Sequence, residues 1–473
     1  MANESANPTF RESVRRTFTN DDPAESAADS TSQAANEGTP LLNGGAHDGH
    51  RNGHPRGKVH QILFNQHETP GQHSSNIAVR TTAHVWHVTK ITLLSNYVNF
   101  LLFMVPLGII AGRNEWGATA VFAINFLAII PLAAVLSFAT EQISMKLGEA
   151  LGGLLNATFG NAVELIVSIV ALKGGQIKIV QSSMLGSILS NLLLVLGMCF
   201  FFGGIANMNV PGTNEPGEQV FASTTAQTTC SLMTLASASL VIPATLYSVL
   251  DGTDQAKEDN ILAVSRGTAI VLLILYVMYL WFQLKTHPNL FILENQHEDG
   301  EEPEEPAMGA IAAGLVLVLT TVLVAICADY LVDSIDDVVE SLHISKTFIG
   351  LILIPIVGNA AEHVTAVVVA VKNKMDLAMG VAIGSSIQIA LLVTPFLVIL
   401  GWAVLGEPMS LHFETFETVA FAFSVLIVCY TVQDGKSNYL EGAMLLGLYF
   451  IIAFAFFVTP DGAKDEGFKF FSS

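Results

Sequence analysis

Charge is what this sequence has least of. Only 13% of its 473 residues are Asp, Glu, Lys or Arg, and 51% are hydrophobic. Soluble domains carry roughly a quarter charged residues, so water alone is a poor solvent for this chain. Basic residues are scarcer still, 21 Lys and Arg against 41 Asp and Glu, for a formal charge of −20. That balance argues against a nucleic-acid partner, while acidic connections attract cations. Cysteine is rare too. Cys199, Cys230, Cys327 and Cys429 all fall in apolar segments without a C-x-x-C pairing, so they read as helix-packing residues rather than metal ligands. A basic n-region followed by a short apolar h-region is also missing, so no cleavable signal peptide is expected, and the first membrane helix is expected to do the targeting.

What the sequence does have is a series of apolar runs of about twenty residues, recurring from Val98 to Val458. Each is long enough to cross the roughly 30 Å hydrocarbon core as a helix. A β-barrel would instead alternate apolar and polar residues over about ten positions, whereas Ile270 to Leu284 is apolar on every side. The expected class is therefore an all-α integral membrane protein surrounded by lipid.

Residues 1–88 are rich in Ser, Ala, Asn, Gly, Thr and His and cannot bury enough surface to offset the entropy of ordering. They read as a disordered cytosolic tail. Within it, Glu37-Gly-Thr-Pro-Leu41-Leu42 resembles an acidic dileucine sorting signal, and His47, His50 and His54 read as solvated low-complexity sequence. A leading membrane helix is expected in 89–113, a first five-helix repeat in 114–285, an acidic cytosolic loop in 286–306, a second five-helix repeat in 307–460 and a short tail in 461–473. Helices are expected near 91–112, 117–140, 147–172, 177–204, 220–249 and 262–284. Five more are expected near 308–332, 346–371, 377–404, 413–432 and 440–459. The total is about eleven. An odd number of spans per set makes the second set enter the membrane from the opposite side, the inverted repeat of many secondary transporters.

The repeat is legible in the residues. Gly160-Asn161-Ala162-Val163-Glu164 matches Gly358-Asn359-Ala360-Ala361-Glu362, and the same offset of 198 carries Gly152 onto Gly350 and Gly186-Ser187 onto Gly384-Ser385. A constant offset over about thirty-five residues points to duplication.

Glu164 and Glu362 each sit in an otherwise apolar helix, where an ionised carboxylate costs at least roughly 2.5 to 3.5 kcal/mol. A protonated glutamate bonded to a neighbouring helix is the bland alternative, and equivalent placement in both repeats counts against it. Helical spacing puts Gly160, Asn161 and Glu164 on one face, and Gly358, Asn359 and Glu362 on another. The glycines permit close backbone approach or a local break that frees carbonyl oxygens; close helix packing explains them as well. Two carboxylates, amide oxygens and carbonyls form a hard oxygen site suited to Ca²⁺. Once the metal leaves, the same pair has a raised affinity for protons, so metal and H⁺ compete for one site.

These residues resemble the cation/proton exchangers of the Ca²⁺/cation antiporter superfamily, and especially the vacuolar Ca²⁺/H⁺ exchangers. The likeness covers roughly residues 90–460. It rests on Leu154-Leu-Asn-Ala-Thr-Phe-Gly-Asn-Ala-Val-Glu-Leu-Ile166, on Gly358-Asn-Ala-Ala-Glu-His363, and on the acidic loop Glu294-Asn-Gln-His-Glu-Asp-Gly-Glu-Glu-Pro-Glu-Glu305-Pro306. The resemblance implies a vacuolar membrane protein with a cytosolic N-terminus, Ca²⁺ held by Glu164 and Glu362, and carbonyl ligands near Gly160 and Gly358. The expected ligand set is completed by Asn161 and Asn359. The resemblance also suggests that Ser187, Ser385 and Gln388 line the pathway, where helix-to-helix hydrogen bonding is an equal reading. Glu141 resembles a carboxylate guarding the cytosolic mouth, or is a solvated helix end. His363 tunes metal preference or relays protons, or is hydrogen-bonded within the bundle. Asp329, Asp333, Asp336 and Asp337 either concentrate cations at the opposite mouth or form a charged helix end.

Na⁺/Ca²⁺ exchangers typically carry Ser or Thr hydroxyls and a proline just before the glutamate. Here Gly160, Asn161 and Val163, and Gly358, Asn359 and Ala361, stand instead, which favours proton coupling. The expected function is Ca²⁺ import into an acidic compartment in exchange for H⁺, with no enzymatic activity and no resident cofactor. Each pH unit supplies about 1.4 kcal/mol per proton, so more than one proton per Ca²⁺ is expected. Mn²⁺/H⁺ exchange, Na⁺/Ca²⁺ exchange and a Ca²⁺ channel are the alternatives, and a homo-oligomer is left open. Orientation is divided: Arg80 and Lys90 favour a cytosolic N-terminus, while Lys173, Lys178, Lys257 and Arg266 would then be luminal.

Overall fold

The structure, a computed structural model, describes residues 69, 74–147, 152, 155–156, 158–208, 217–250, 253–288 and 306–459. The dileucine-like segment, the tail histidines and the acidic loop from Glu294 to Glu305 lie outside the described residues. Contacts divide the chain into two units, Met1–Lys90 and Ile91–Ser473. In the first, Thr69 Oγ1 lies 2.9 Å from His87 Nδ1 and accepts a hydrogen bond from Lys90 Nζ at 2.9 Å. Helix α1, Ile77–Leu94, begins well before the expected 91, with the Asn76 side chain accepting from the Ala78 N–H at its start.

Among the described residues of the second unit the regular structure is helical apart from a two-residue ladder, Gln219–Val220 against Lys436–Ser437. After a 3₁₀ turn at Tyr97–Phe103 come α2, Met104–Arg113, and α3, Ala118–Leu147. Then follow α4, Ala162–Lys173, α5, Ile177–Leu189, and α6, Leu196–Ala206. Helices α7, Ser223–Val249, and α8, Asp254–Trp281, complete the part before the acidic loop. Beyond it lie α9, Ala310–Asp333, α10, Ile335–Leu342, and the short α11, Lys346–Phe348, which passes through a π-turn into α12, Ile354–Gly358. The rest comprises α13, Ala360–Val371, α14, Met375–Gln388, α15, Thr394–Leu400, α16, Thr415–Thr431, and α17, Tyr439–Val458. Capping boxes at Glu414 with Glu417 and at Asn438 with Glu441 fix the starts of the last two.

Among the described residues, seven helices are long and apolar enough to cross a membrane, or up to nine if each of two bent pairs is one span. The sequence places helices near 147–172 and 346–371 and allows a local break at their glycines. Both segments are interrupted at the Gly-Asn pairs, which leaves helices of 12 residues after each break.

The offset of 198 seen in the sequence also governs the elements. It carries α4 onto α13 end for end, and the first residues of α5 and α6 onto those of α14 and α15. It carries the left-handed turn residue Gly175 (φ 71°) onto Asn373 (φ 65°). A π-helical segment follows α5 at Ser190–Val195 and α14 at Ile389–Val393. The two halves meet where small residues let backbones touch. A Cβ on Gly350 would lie 2.9 Å from Ser182 Cβ, and one on Gly186 would collide with the Leu351 carbonyl. The buried core around these contacts includes Phe200, Leu132, Leu185 and Leu189.

Candidate functional site

The site grows from the two helix breaks. Gly160 and Asn161 form a turn after helical residues 158–159, and Asn161 has φ −97° and ψ 24°. Asn359 repeats this with φ −100° and ψ 4° between α12 and α13. Both lie in the bridge region, outside the helical well. Gly160 N–H reaches the Asn156 carbonyl at 2.8 Å, and the ladder resumes with Leu165 N–H to Asn161 at 3.0 Å. In the second half the flanking bonds are Asn359 N–H to Pro355 at 3.0 Å and His363 N–H to Asn359 at 2.9 Å. The carbonyls of Gly160 and Gly358 sit within these lapses.

Glu164 and Glu362 are each the third residue of the restarted helix. First-turn placement puts the carboxylate at the positive end of the helix dipole, which offsets part of the cost of burying it. The decisive geometry is reciprocal. A Cβ on Gly358 would lie 2.9 Å from Glu164 Cγ and 3.7 Å from Glu164 Oε1, while one on Gly160 would lie 3.7 Å from Glu362 Oε1. Each glutamate therefore reaches the break of the other half. At Gly358 a side chain would crowd Glu164 Cγ, whereas at Gly160 a Cβ would meet Glu362 Oε1 at ordinary contact distance. The two carboxylates are close enough to interact electrostatically, and Glu362 also faces Ser385.

Glu164 is 3% exposed, and both its carboxylate oxygens are buried without a hydrogen-bond partner. Ser187 and Asn359 lie beside it, but neither completes a well-formed hydrogen bond. Glu362 is half-buried, and its Oε2 is buried and unpartnered, as is the amide nitrogen of Asn359. Buried polar atoms normally find partners, so this concentration of unmet acceptors marks a place for a cation or for protons. Among the described residues no cluster of three or more His, Cys, Asp or Glu exists, so any further ligands here are carbonyl, amide or hydroxyl oxygens.

The remaining candidates separate. Asn161 is not on a shared helical face with Glu164, as regular spacing implied, because it lies in the break. Its Oδ1 accepts from the Ser385 hydroxyl at 2.7 Å, and its Nδ2 donates to Gln388 Oε1 at 2.7 Å. Ser385 in turn accepts from Asn191 Nδ2 at 3.0 Å. Ser385 and Gln388 thus make the helix-to-helix bonds that were one of their two readings, and they do so next to the glutamates. His363 is buried with Nε2 3.3 Å from Ser190 Oγ, a contact inside the bundle. Glu141 is exposed near the end of α3, where its carbonyl accepts from Ser144, and it does not line the cavity beside Glu164. Asp336 forms an ion pair with Lys346 and accepts from Gln176 Nε2 at 2.9 Å, so it ties helix ends together. Asp329, Asp333 and Asp337 are exposed.

Two cavities adjoin the site, and they differ sharply. Beside Glu164 the space is about 10 Å³, walled by Phe126, Ile129, Val167, Leu331 and Ile354. Beside Gln388 it is about 230 Å³ and partly polar, with Asn156, Thr225, Gln283 and Asp376 in its lining. Sequence reasoning missed Asn191, Ser190 and Asp376. Asp376 read as an ordinary acidic residue in a helix's first turn, and only the fold brings it to this cavity.

The sodium/calcium exchanger protein family matches residues 117–285 and 312–458, two blocks on either side of the acidic loop. The vacuolar calcium ion transporter of Schizosaccharomyces pombe is 52% identical over 374 residues, 79% of this chain and 87% of that protein. The Ca²⁺/H⁺ antiporter of Aphanothece halophytica is 43% identical over 371 residues, 76% of this chain and 96% of that protein. Among solved structures, native YfkE superposes with a TM-score of 0.63 at 37% identity, covering 76% of this chain and all of that one. The H⁺/Ca²⁺ exchanger CAX, 13% identical with a TM-score of 0.57 over 76% of this chain and 91% of that one, shares the fold. The paired Gly-Asn breaks, the crossed glutamates and these matches lead to one conclusion: this chain belongs to the sodium/calcium exchanger protein family.

Proposed function

We propose that this chain is a secondary antiporter that moves Ca²⁺ into an acidic compartment, the vacuole, in exchange for H⁺. Its relatives include proteins named vacuolar calcium ion transporter and Ca²⁺/H⁺ antiporter. The observation that carries the reading is the reciprocal seating of Glu164 at Gly358 and of Glu362 at Gly160, with three carboxylate oxygens buried and unpartnered. Two adjacent carboxylates balance a divalent charge, and when Ca²⁺ departs their mutual repulsion is relieved by protons. One site that faces each side in turn then couples the two flows.

In this reading Glu164 and Glu362 are the Ca²⁺ and H⁺ ligands, and the carbonyls at Gly160 and Gly358 add neutral oxygens. Asn161 and Asn359 hold the breaks open, and Asn359 is the amide free to turn its oxygen to the ion. Ser187, Ser385 and Gln388 line the path. The two halves form inverted five-helix repeats behind a leading helix, about eleven spans in all, with the N-terminus and the acidic loop on the cytosolic side. The 230 Å³ cavity, whose wall includes Gln283 near the end of the span that precedes that loop, then opens to the cytosol.

The test is ⁴⁵Ca²⁺ uptake into acidified vesicles carrying the protein. Wild type should accumulate Ca²⁺ and lose uptake with a protonophore. Glu164→Gln and Glu362→Gln should each reduce uptake at least about 100-fold while the protein remains in the membrane fraction. Near-normal uptake by either variant, or uptake indifferent to the protonophore, defeats the proposal. Competition by Mn²⁺ or Na⁺ in the same vesicles separates the other exchange reactions.

A further inference from the structure

The cavity of about 230 Å³ has room for several waters, each occupying about 30 Å³, and hence for a partly hydrated cation. Its inner end is Gln388, whose Oε1 would lie 3.9 Å from a Cβ on Gly160, the same point that Glu362 Oε1 approaches to 3.7 Å. Further out, Asn156, Thr225, Thr229 and Gln283 supply oxygens, and Asp376 is the one carboxylate among the described residues of the lining. Thr229 donates its proton to the Thr225 carbonyl at 2.9 Å, which leaves the hydroxyl oxygen as an acceptor. Asp376 is half-buried in the first turn of α14, and its Oδ1 accepts from Ala222 N–H at 2.7 Å. That bond fixes the carboxylate at the wall with one oxygen still to offer.

The other half has no equivalent. The offset of 198 maps Asp376 onto Lys178, in the first turn of α5, which is exposed and pairs with Glu414 at 3.4 Å. The same structural position thus carries a negative charge in the cavity and a positive charge in the opposite half. Low-dielectric walls focus a single charge's field along a cavity and raise the local concentration of counter-ions.

We propose that Asp376 is a cation-recruiting carboxylate of the open cavity, a residue that receives the incoming divalent cation before Glu362 does. This rests on the exchange reading above. Its function is to raise the rate of ion arrival at Gln388 and Glu362, not to hold the transported ion.

Asp376→Asn keeps the acceptor for Ala222 N–H and removes only the charge. In ⁴⁵Ca²⁺ uptake at low ionic strength it should raise the apparent KM about 5-fold, leave Vmax within about 2-fold of wild type, and lose this KM difference as KCl is raised toward 0.5 M. Asp376→Glu should keep the wild-type KM and its salt dependence. A KM unchanged by Asp376→Asn at low ionic strength overturns the inference while leaving the exchange reading intact. A fall in Vmax with KM unmoved overturns it in favour of a purely structural clamp. Wild-type vesicles without proton-dependent uptake would defeat the exchange reading itself and this inference with it.

Discussion

Gly186 and Gly384 occupy the same position in the two halves, yet their surroundings are opposite. A Cβ on Gly186 would strike the Leu351 carbonyl, whereas nothing lies within 4 Å of one on Gly384, which lines the 230 Å³ cavity. The glutamates differ likewise: Glu164 lines the small apolar cavity, whereas Glu362 approaches Gly160 from the same side as Gln388, the residue at the inner end of the polar one. Duplicated halves with matching motifs and matching central helices have therefore settled into unlike packing, closed on one side and open on the other. A carrier needs this, because a site open on both sides would leak. The difference cannot lie in the motifs, which match. It lies in how each helix meets its neighbours.

The most damaging way to break the comparison is to fill a glycine that a glutamate needs. Gly358→Val places methyl groups where Glu164 Cγ lies, and Ca²⁺ uptake should fall at least about 100-fold with the protein still in the membrane; uptake above a tenth of wild type would show that the crossed seating is dispensable. A sharper contrast comes from alanine at the equivalent pair. Gly186→Ala overpacks a closed contact and should cost about 1 to 3 kcal/mol of stability, read as a lower melting temperature in detergent. Gly384→Ala should leave the melting temperature near wild type and slow turnover about 10-fold, because closing the cavity must bring a backbone to that position. Equal thermal losses for both would abolish the distinction. The smallest effects come from making the halves alike. Gln388→Ser copies Ser190 and removes the acceptor of Asn161 Nδ2, a loss of about 0.5 to 1.5 kcal/mol, and should raise the KM for Ca²⁺ about 3-fold. His363→Leu copies Leu165 and should change uptake less than about 2-fold; a larger change would give this histidine a part in transport.

Much of this was legible in the residues because duplication writes itself twice. The offset of 198 identified both glutamates, both glycines and both serines, and the element boundaries of α4 and α13 obey it to the residue. The breaks themselves were less legible. Asn is only mildly unfavourable in a helix, so Asn161 and Asn359 do not by themselves fix where a helix stops. Their consequence, an Asn161 side chain held by Ser385 and Gln388 from more than 220 positions away, has no local signal. Asp376 was invisible for the same reason, since its partner Ala222 lies 154 residues earlier.

By itself, then, the chain's composition and repetition determined a helical membrane protein with two buried acids in matching contexts. Burial of charge in lipid is so costly that its position alone announces a purpose. Only the tertiary structure decided that each acid leans across to the other half's glycine, that one side of the pair is sealed, and that the open side carries Asp376. Contacts between distant segments depend on shape and close approach, and a linear pattern records neither.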